Sequence, residues 1–201
     1  IALQPDFAEA HTDLGLAFLG MVRTISCPDA PIRNGPCPPA DQKLLYGKAM
    51  GSFDRAMRID PNLVSTLNAR GSAYLLFGEY QQALLEFENA IRLQPLQSDG
   101  YRNRAKAYFE LGRHERAISD YDEAILLNPQ DGQSYNERGA IFTLLGQTKN
   151  AAQDYYQAYT ILGIKGTELG NSLRAVQYLD AALAHDPQNA QFLVFRGRIY
   201  S

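Results

Sequence analysis

The chain has 201 residues, of which 45% are hydrophobic and 20% charged, a balance typical of a folded domain with an apolar core and not of a disordered chain. Its net charge is −3, with basic and acidic residues interspersed, so no basic excess indicates a nucleic-acid partner. No apolar run approaches the roughly 18 residues that a membrane span needs, and we expect no such span.

The chain opens with a segment that resembles the end of a helix. Residues 1–5 read Ile-Ala-Leu-Gln-Pro, close to the Ile-Arg-Leu-Gln-Pro of residues 91–95. We interpret residues 1–5 as the tail of a preceding unit, so that the sequence is a fragment of a longer array. The first full unit follows at residues 8–61, with helices expected at about 8–23 and 41–59.

An insertion of about residues 24–40 separates these two helices. It holds five prolines and both cysteines of the chain, Cys27 and Cys37, and proline disfavours helix at and before its own position. Two alternatives stay open for the cysteines. A disulfide would stabilise the loop by about 3 kcal/mol and indicate an oxidising, periplasmic or extracellular location. Two reduced thiols would instead fit a cytoplasmic protein.

The centre of the chain repeats with a period of about 34 residues, a length at which repeat architectures are built. Prolines at 61, 95 and 129 keep this spacing, and so do columns of small and aromatic residues. The columns are Ala49, Ala83, Ala117 and Ala151; Phe53, Phe87, Tyr121 and Tyr155; and Ala56, Ala90, Ala124 and Ala158. The fixed period predicts an array of one supersecondary unit, with units at 64–97, 98–131 and 132–163.

Each regular unit is predicted to form two amphipathic helices. In the unit 64–97, Leu67, Gly71 and Tyr74 share one face of the first helix, at steps of three and four residues. Gly78 then marks a turn, a second helix follows, and Pro95 ends it. The fold class is therefore all-α, built from antiparallel helix–turn–helix hairpins.

These units resemble the tetratricopeptide repeat, whose pattern combines a large residue, Leu-Gly, two aromatics, an alanine and a closing proline. The matching residues are Leu67, Gly71, Tyr74, Ala83, Phe87 and Pro95; then Tyr101, Ala105, Tyr108, Ala117, Tyr121 and Pro129; then Tyr135, Gly139, Phe142, Ala151 and Tyr155. In the third unit Gly163 stands where the proline belongs. The resemblance implies a right-handed superhelical solenoid that binds a protein or peptide partner in its concave groove.

The pattern changes beyond the third regular unit. Pro187 follows Pro129 by less than two periods, which predicts a compressed unit at about 156–189. Glycines at 163, 166 and 170 weaken helix there, so we expect a kink or a fused helix around 156–172. Residues 190–201 then begin a further unit.

An arginine recurs where the family usually has leucine. The recurring residues are Arg70, Arg104, Arg138 and Arg196, and acids recur on the second helices at Glu86, Asp120 and Asp154. One interpretation is a basic ladder for an anionic ligand. We favour the other, in which each arginine is largely buried and paired with an acid. The tandem carboxylates Asp120 and Asp122, with Glu123, share one polar helical face and are interpreted as solvated charge.

The inner face of the first helices is the predicted ligand site, because it lines the groove in this family. Its candidate residues are Asn68, Ser72, Arg102, Asn103, Lys106, Asn136 and Glu137. Asparagine suits the backbone of an extended peptide because its amide both donates and accepts hydrogen bonds. Arg102 and Lys106, one turn apart, could bind a carboxylate.

The sequence contains no catalytic or metal-binding pattern. It has no glycine-rich phosphate loop, nucleophile elbow or His-Glu-x-x-His motif, and its three histidines lie in separate units. We expect no cofactor, no metal and no enzymatic activity. The alternatives to a peptide-binding scaffold are the non-catalytic arm of a larger enzyme and a scaffold that self-associates through its terminal helices.

Overall fold

The computed structural model describes residues 5–24, 40–162, 176–177, 179–180, 183 and 187–200. Every regular element in these ranges is an α-helix, so the all-α prediction is confirmed. The helices are α1 (Pro5–Thr24), α2 (Ala40–Ile59), α3 (Val64–Leu76), α4 (Tyr80–Leu93), α5 (Ser98–Glu110), α6 (His114–Leu127), α7 (Gly132–Leu144), α8 (Thr148–Leu162) and α9 (Ala190–Tyr200). Cys27 and Cys37 lie outside the described residues. So do the rest of the predicted insertion from 25 to 39 and the part of the predicted kink from 163 to 172.

The helices belong to two compact units, Ile1–Leu111 and Gly112–Ser201. In the first unit α1 packs against α2, α3 against α4, and α4 against α5. The first helices α1 and α5 also contact α3, so the three first helices are neighbours. None of the helices in the described ranges combines the length and apolar character of a membrane span.

A glycine in the left-handed conformation turns the chain between the two helices of a hairpin. Gly78 has φ 77° between α3 and α4, and Gly146 has φ 70° between α7 and α8. This conformation lets the next N–H bond back into the helix that has just ended, from Glu79 to the carbonyl of Tyr74 at 2.9 Å. Only glycine adopts it without steric cost, which explains its recurrence at this point of the period.

In three hairpins, α1–α2, α3–α4 and α7–α8, an aromatic ring of the second helix rests on a glycine of the first. A Cβ placed on Gly71 would lie 2.5 Å from Cε1 of Phe87, and one on Gly139 would lie 3.3 Å from Cε1 of Tyr155. Phe53 covers Gly15 in the same way. The ring therefore approaches the first helix closely only because the residue beneath it has no side chain.

A buried hydroxyl pair joins α1 to α3 in the first unit. Thr12 donates its hydroxyl to the carbonyl of Ala8 at 3.0 Å, so in its 2.6 Å contact with Thr66 it accepts. Both side chains are buried, and each hydroxyl has a partner within the protein.

In the second unit α7 packs against both α6 and α8. Ala152 and Tyr156 of α8 form a cluster with Leu179, Leu183 and Phe192, which ties α9 into the unit. The ring of Tyr156 stacks on Phe195 of α9 with 3.7 Å between the ring centroids. Residues 176–177, 179–180 and 183 are helical.

Candidate functional site

The predicted ligand residues of the first unit lie on two neighbouring first helices. Asn68 and Ser72 are on α3, and Arg102, Asn103 and Lys106 are on α5, which contacts α3. Ser72 is exposed and the other four are half-buried. We call these five residues the first-helix surface. Its side chains are two half-buried amides, an exposed hydroxyl and two half-buried cations, groups that can bind a polypeptide through hydrogen bonds.

Two asparagines at the same repeat position have an unpaired carbonyl oxygen. Asn136 follows Asn68 by two periods, and each is half-buried on its first helix, α7 and α3 respectively. In both, the side-chain Oδ1 is buried and has no hydrogen-bond donor among the described residues. A buried acceptor without a donor costs about 1–3 kcal/mol, so each amide gains if a ligand supplies an N–H.

Arg102 already has a carboxylate partner on its own helix. Its Nη2 lies 2.7 Å from Oδ1 of Asp99, one turn earlier on α5. Asp99 is exposed, and exposed pairs of this kind contribute about 0–1 kcal/mol. A ligand carboxylate that reached Arg102 would therefore compete with a weak partner.

Glu137 contributes to the packing of the second unit. Its carboxylate accepts the hydroxyl of buried Tyr121 at 2.9 Å and the side-chain amide of Gln133 at 3.0 Å. Two donors from α6 and α7 therefore hold it. The sequence analysis placed Glu137 on the inner face of the first helices, and in the structure its carboxylate bonds to Tyr121 of α6.

Two of the recurring arginines are paired as predicted. Nη2 of Arg70 lies 2.8 Å from Glu86, and Nη2 of Arg138 lies 2.7 Å from Asp154. The arginine side chains are only 18% and 17% exposed, so they are largely buried. This arrangement supports a packing role over a basic ladder for an anionic ligand.

Each of these arginines also binds a second acid earlier in the chain, which the sequence analysis missed. Arg70 contacts Asp54 at 3.3 Å, and Arg138 contacts Asp122. Asp122 is exposed, as expected for solvated charge, and is also held by Arg138. For Asp120 that interpretation is wrong, because its side chain is buried. The signal was present in the sequence, since Asp54 and Asp122 are two periods apart.

In the Arg138–Asp154 pair, burial and ion pairing shift the pKa of each group in opposite directions. Burial raises the pKa of the Asp154 carboxyl above its ordinary value, although the hydrogen bonds from Arg138 lower it. For Arg138 burial lowers the pKa, but the carboxylates of Asp154 and Asp122 outweigh it and raise the pKa. The guanidinium also lies over Tyr135, 5.6 Å from the ring centroid. Arg138 therefore stays charged.

Arg104 and Arg196 complete the recurring set. The guanidinium of Arg104 lies over the rings of Tyr101 and Tyr108, at 5.7 and 5.9 Å from their centroids. Arg196 bonds Asp180 at 3.0 Å, but its side chain is 40% exposed, which departs from the predicted burial. Asp180 precedes Arg196 by the same interval that separates Asp54 from Arg70, so the two acids correspond.

Within the described ranges no group of three or more histidine, cysteine or acidic side chains is arranged to hold a metal ion.

Family models of the tetratricopeptide repeat match the chain at residues 64–95, 98–131 and 168–200. The chain is a tetratricopeptide repeat protein. No curated protein matches its sequence.

Solved structures share the tetratricopeptide repeat fold over most of the chain. A structure of MamA is 18% identical with a TM-score of 0.65, over 98% of this chain and 91% of that one. TTC0263, a TPR protein of Thermus thermophilus, is 19% identical with a TM-score of 0.62, over 96% and 98%. The first TPR of Spaghetti (RPAP3) bound to HSP90 peptide SRMEEVD is 20% identical with a TM-score of 0.57, over 73% and 98%. At these identities the likeness shows the fold alone.

Proposed function

We propose that this protein is an interaction scaffold that binds an extended segment of a partner polypeptide on its first-helix surface. The observation that carries the proposal is the buried, donor-less Oδ1 of Asn68, which Asn136 repeats in the second unit. Both asparagines lie at the same position of the repeat, so two units each contain a side-chain acceptor that lacks an N–H donor.

An extended peptide suits this need because its backbone presents N–H groups at regular intervals. An asparagine amide pairs with a peptide unit through one donor and one acceptor, whatever the peptide's side chains are. Binding would recover the cost of the unpaired acceptor. The RPAP3 repeat domain, which has the same fold, was solved with a peptide bound, and that precedent supports this mode of binding.

The residues on α5 favour a segment with an acidic group. Arg102 and Lys106 are one helical turn apart, and one carboxylate that Arg102 binds belongs to exposed Asp99. A ligand carboxylate can replace that partner at little cost. The proposed ligand is therefore an extended segment with at least one acidic side chain or a terminal carboxylate.

The proposal is tested with a random dodecapeptide library displayed on phage and selected on the chain. We expect the enriched peptides to bind Asn68→Ala about five- to tenfold more weakly, the equivalent of roughly 1–1.4 kcal/mol. The same substitution removes an unpaired acceptor and adds helix propensity, so the melting temperature should stay or rise. Loss of binding without loss of stability identifies a ligand-binding residue.

A matched control is Asn150→Ala, an exposed asparagine on the second helix α8. Its peptide affinity should equal that of the wild type. The double variant Arg102→Ala, Lys106→Ala should weaken acidic peptides more than neutral ones. Peptides that bind all these variants as tightly as the wild type would place the binding site elsewhere.

A further inference from the structure

The second helix α2 carries a cluster of positive charge on its outer side. It packs on α1 and α3, and its exposed residues lie on the side that remains. We call these residues the α2 outer face: Lys43, Leu44, Gly47, Lys48, Gly51, Asp54, Arg55 and Arg58. Four cations and one acid give this face a charge of +3, although the whole chain carries −3.

The arginines of the α2 outer face are available to an outside partner. The one acid of this face, Asp54, is already bonded to Arg70 of α3 at 3.3 Å. No acid of the described residues is paired with Arg55 or Arg58. An acidic group that approached these two arginines would therefore not have to displace an existing partner.

Two glycines run along the middle of this face. Gly47 and Gly51 are one turn apart, and no described atom lies within 4 Å of the position that a Cβ would take on either. Glycine inside a helix is less stable than alanine, and packing does not require it here as the ring of Phe87 does at Gly71. The glycines instead leave the backbone of α2 open to close approach by another molecule.

Neighbouring repeats leave this side of a second helix open. Helix α4 has the same place in its unit as α2, and first helices pack on it from two sides, α3 and α5. Its residues at the positions of Gly47, Gly51 and Arg58 are nevertheless exposed: Gln81, Leu85 and Arg92. The exposure of the α2 outer face is therefore a property of the repeat fold, and helices added on either side of the unit would not remove it.

The composition of the α2 outer face, by contrast, is particular to this helix. The exposed side of α4 carries Glu88 and Arg92, so it has no net charge. It also has Gln81 and Leu85 where α2 has its two glycines. Because the same fold forms without cations and glycines on α4, their presence on α2 indicates a requirement other than folding.

An acidic helix fits this combination of charge and shape. The distance between two packed helices depends on the side chains at their contact, so the two glycines permit a close approach. Lys48 and Arg55 border the glycines on one side and Lys43 borders them on the other, at helical spacing. Carboxylates on either side of the contact stripe of a partner helix would meet these cations.

The α2 outer face is less suited to a phosphate backbone or a membrane. The carboxylate of Asp54 lies among the cations and repels phosphate. Leu44, which is 59% exposed, is the one large apolar residue of this face, and a single such side chain gives little insertion into a bilayer. A helix with acids beside a narrow stripe of small residues matches all parts of the face.

We propose that the α2 outer face binds an acidic amphipathic helix of a partner protein. The small residues of that helix lie against the two glycines, and its carboxylates bind Lys48, Arg55 and Arg58. The site lies on a second helix, so the inference does not depend on the peptide binding proposed for the first-helix surface.

The probe is a library of helices, displayed on phage as the randomised surface of a folded three-helix bundle and selected on the whole chain. We expect one family of enriched helices to carry more acids than the starting library, on both sides of a stripe of small or apolar residues. Raising NaCl from about 50 to about 500 mM should weaken their binding several-fold, because salt screens exposed charges.

Gly51→Leu in the protein blocks the close approach. Leucine favours helix more than glycine and the space is open, so the melting temperature should stay or rise, while the affinity for these helices should fall by roughly tenfold or more. Ser119→Leu is the matched control, because it places leucine at the same repeat position on the exposed side of α6. It should leave the affinity unchanged.

The charges are tested by the double variant Arg55→Gln, Arg58→Gln. It should weaken the acidic helices by roughly tenfold and reduce the salt dependence of the remaining binding. Arg92→Gln is the matched control, since Arg92 is exposed on α4 at the repeat position of Arg58. Neither Arg92→Gln nor Asn68→Ala should change the affinity.

Failure to enrich any helix, or enriched helices that bind Gly51→Leu as tightly as the wild type, would overturn the proposal. So would self-association of the protein that Gly51→Leu abolishes, because a second copy would then be the occupant. Single-stranded oligonucleotides and phosphatidylserine vesicles are measured alongside. Tighter binding of either one than of the helices, lost in the double arginine variant, would assign the face to that ligand instead.

Discussion

At the residue scale, the arginine–acid pairs differ in how much each contributes to stability. A pair exposed to solvent contributes about 0–1 kcal/mol, whereas removal of one partner from a buried pair costs about 3–5 kcal/mol because a charge is left uncompensated. Arg138 is bonded to Asp154, which is almost fully buried, while Arg196 and Asp180 are both substantially exposed. The same residue type at the same repeat position should therefore tolerate substitution very differently.

We predict that Arg138→Met lowers the free energy of unfolding by about 3–5 kcal/mol and Arg196→Met by less than about 1 kcal/mol. Methionine keeps much of the apolar stem of arginine, so the difference reports on the charges. Urea denaturation followed by circular dichroism measures both. Similar losses in the two variants would contradict the argument from burial.

These residues also show how much of the side-chain pairing could be predicted from the sequence. The repeat period predicted the pairs of Arg70 with Glu86 and Arg138 with Asp154. It did not predict the pairs with Asp54 and Asp122, because these acids belong to the preceding hairpin and the repeat period relates an arginine to the acid of its own unit. Helical spacing placed Asn68 and Asn136 on the inner face. Their unpaired Oδ1 atoms could not be foreseen, because burial of one atom depends on the packing of neighbouring helices.

At the element scale, the hairpin depends on close contact between a glycine and a ring. Glycine in a helix usually costs about 0.5–1 kcal/mol relative to alanine. At Gly71 the ring of Phe87 occupies the space that a Cβ would need. Phe87 is fully buried and carries much of the apolar surface of this hairpin, so packing outweighs helix propensity here.

We predict opposite effects for alanine at two helical glycines. Gly71→Ala should destabilise the protein by about 1–3 kcal/mol because the ring or the helices must shift. Gly51→Ala, where no described atom lies within 4 Å, should stabilise it by about 0.5–1 kcal/mol. Thermal unfolding of the two variants gives the comparison. If Gly71→Ala stabilised the protein, the ring of Phe87 would be able to move aside at little cost in free energy.

The helices α1 and α2 show how closely helix boundaries can be predicted from the sequence. Helices were expected at about 8–23 and 41–59 and lie at Pro5–Thr24 and Ala40–Ile59. The early start of α1 follows from the tolerance of proline in the first turn, where its missing N–H has no helical partner. A proline that ends one segment can thus begin the next, and sequence alone does not distinguish the two roles.

At the scale of the whole molecule, the contacts of a repeat protein connect successive helices. Within the first unit, helices pack on their neighbours in the chain or on the neighbouring first helix. Stability in such arrays is approximately a sum of local terms. A defect in one hairpin should therefore loosen that hairpin and leave distant ones intact.

We predict that Gly71→Ala accelerates amide hydrogen exchange mainly in α3 and α4. Peptides from α7 and α8, in the other compact unit, should keep their wild-type protection. Exchange measured by mass spectrometry under native conditions resolves the two regions. Uniform acceleration throughout the chain would indicate that the two units unfold as one.

Arg70 bonds one acid of the preceding helix and one of the following helix, and this limits which segments can be transferred to another protein with both bonds intact. Asp54, Arg70 and Glu86 belong to three successive helices, α2, α3 and α4. If the hairpin α3–α4 were transferred alone into another repeat array, Arg70 would lose its bond to Asp54, because Asp54 lies on α2. Tandem duplication of the repeat unit preserves both bonds, because each new copy brings an acid for the arginine that follows. The smallest portable module that keeps both acids of Arg70 is thus three helices.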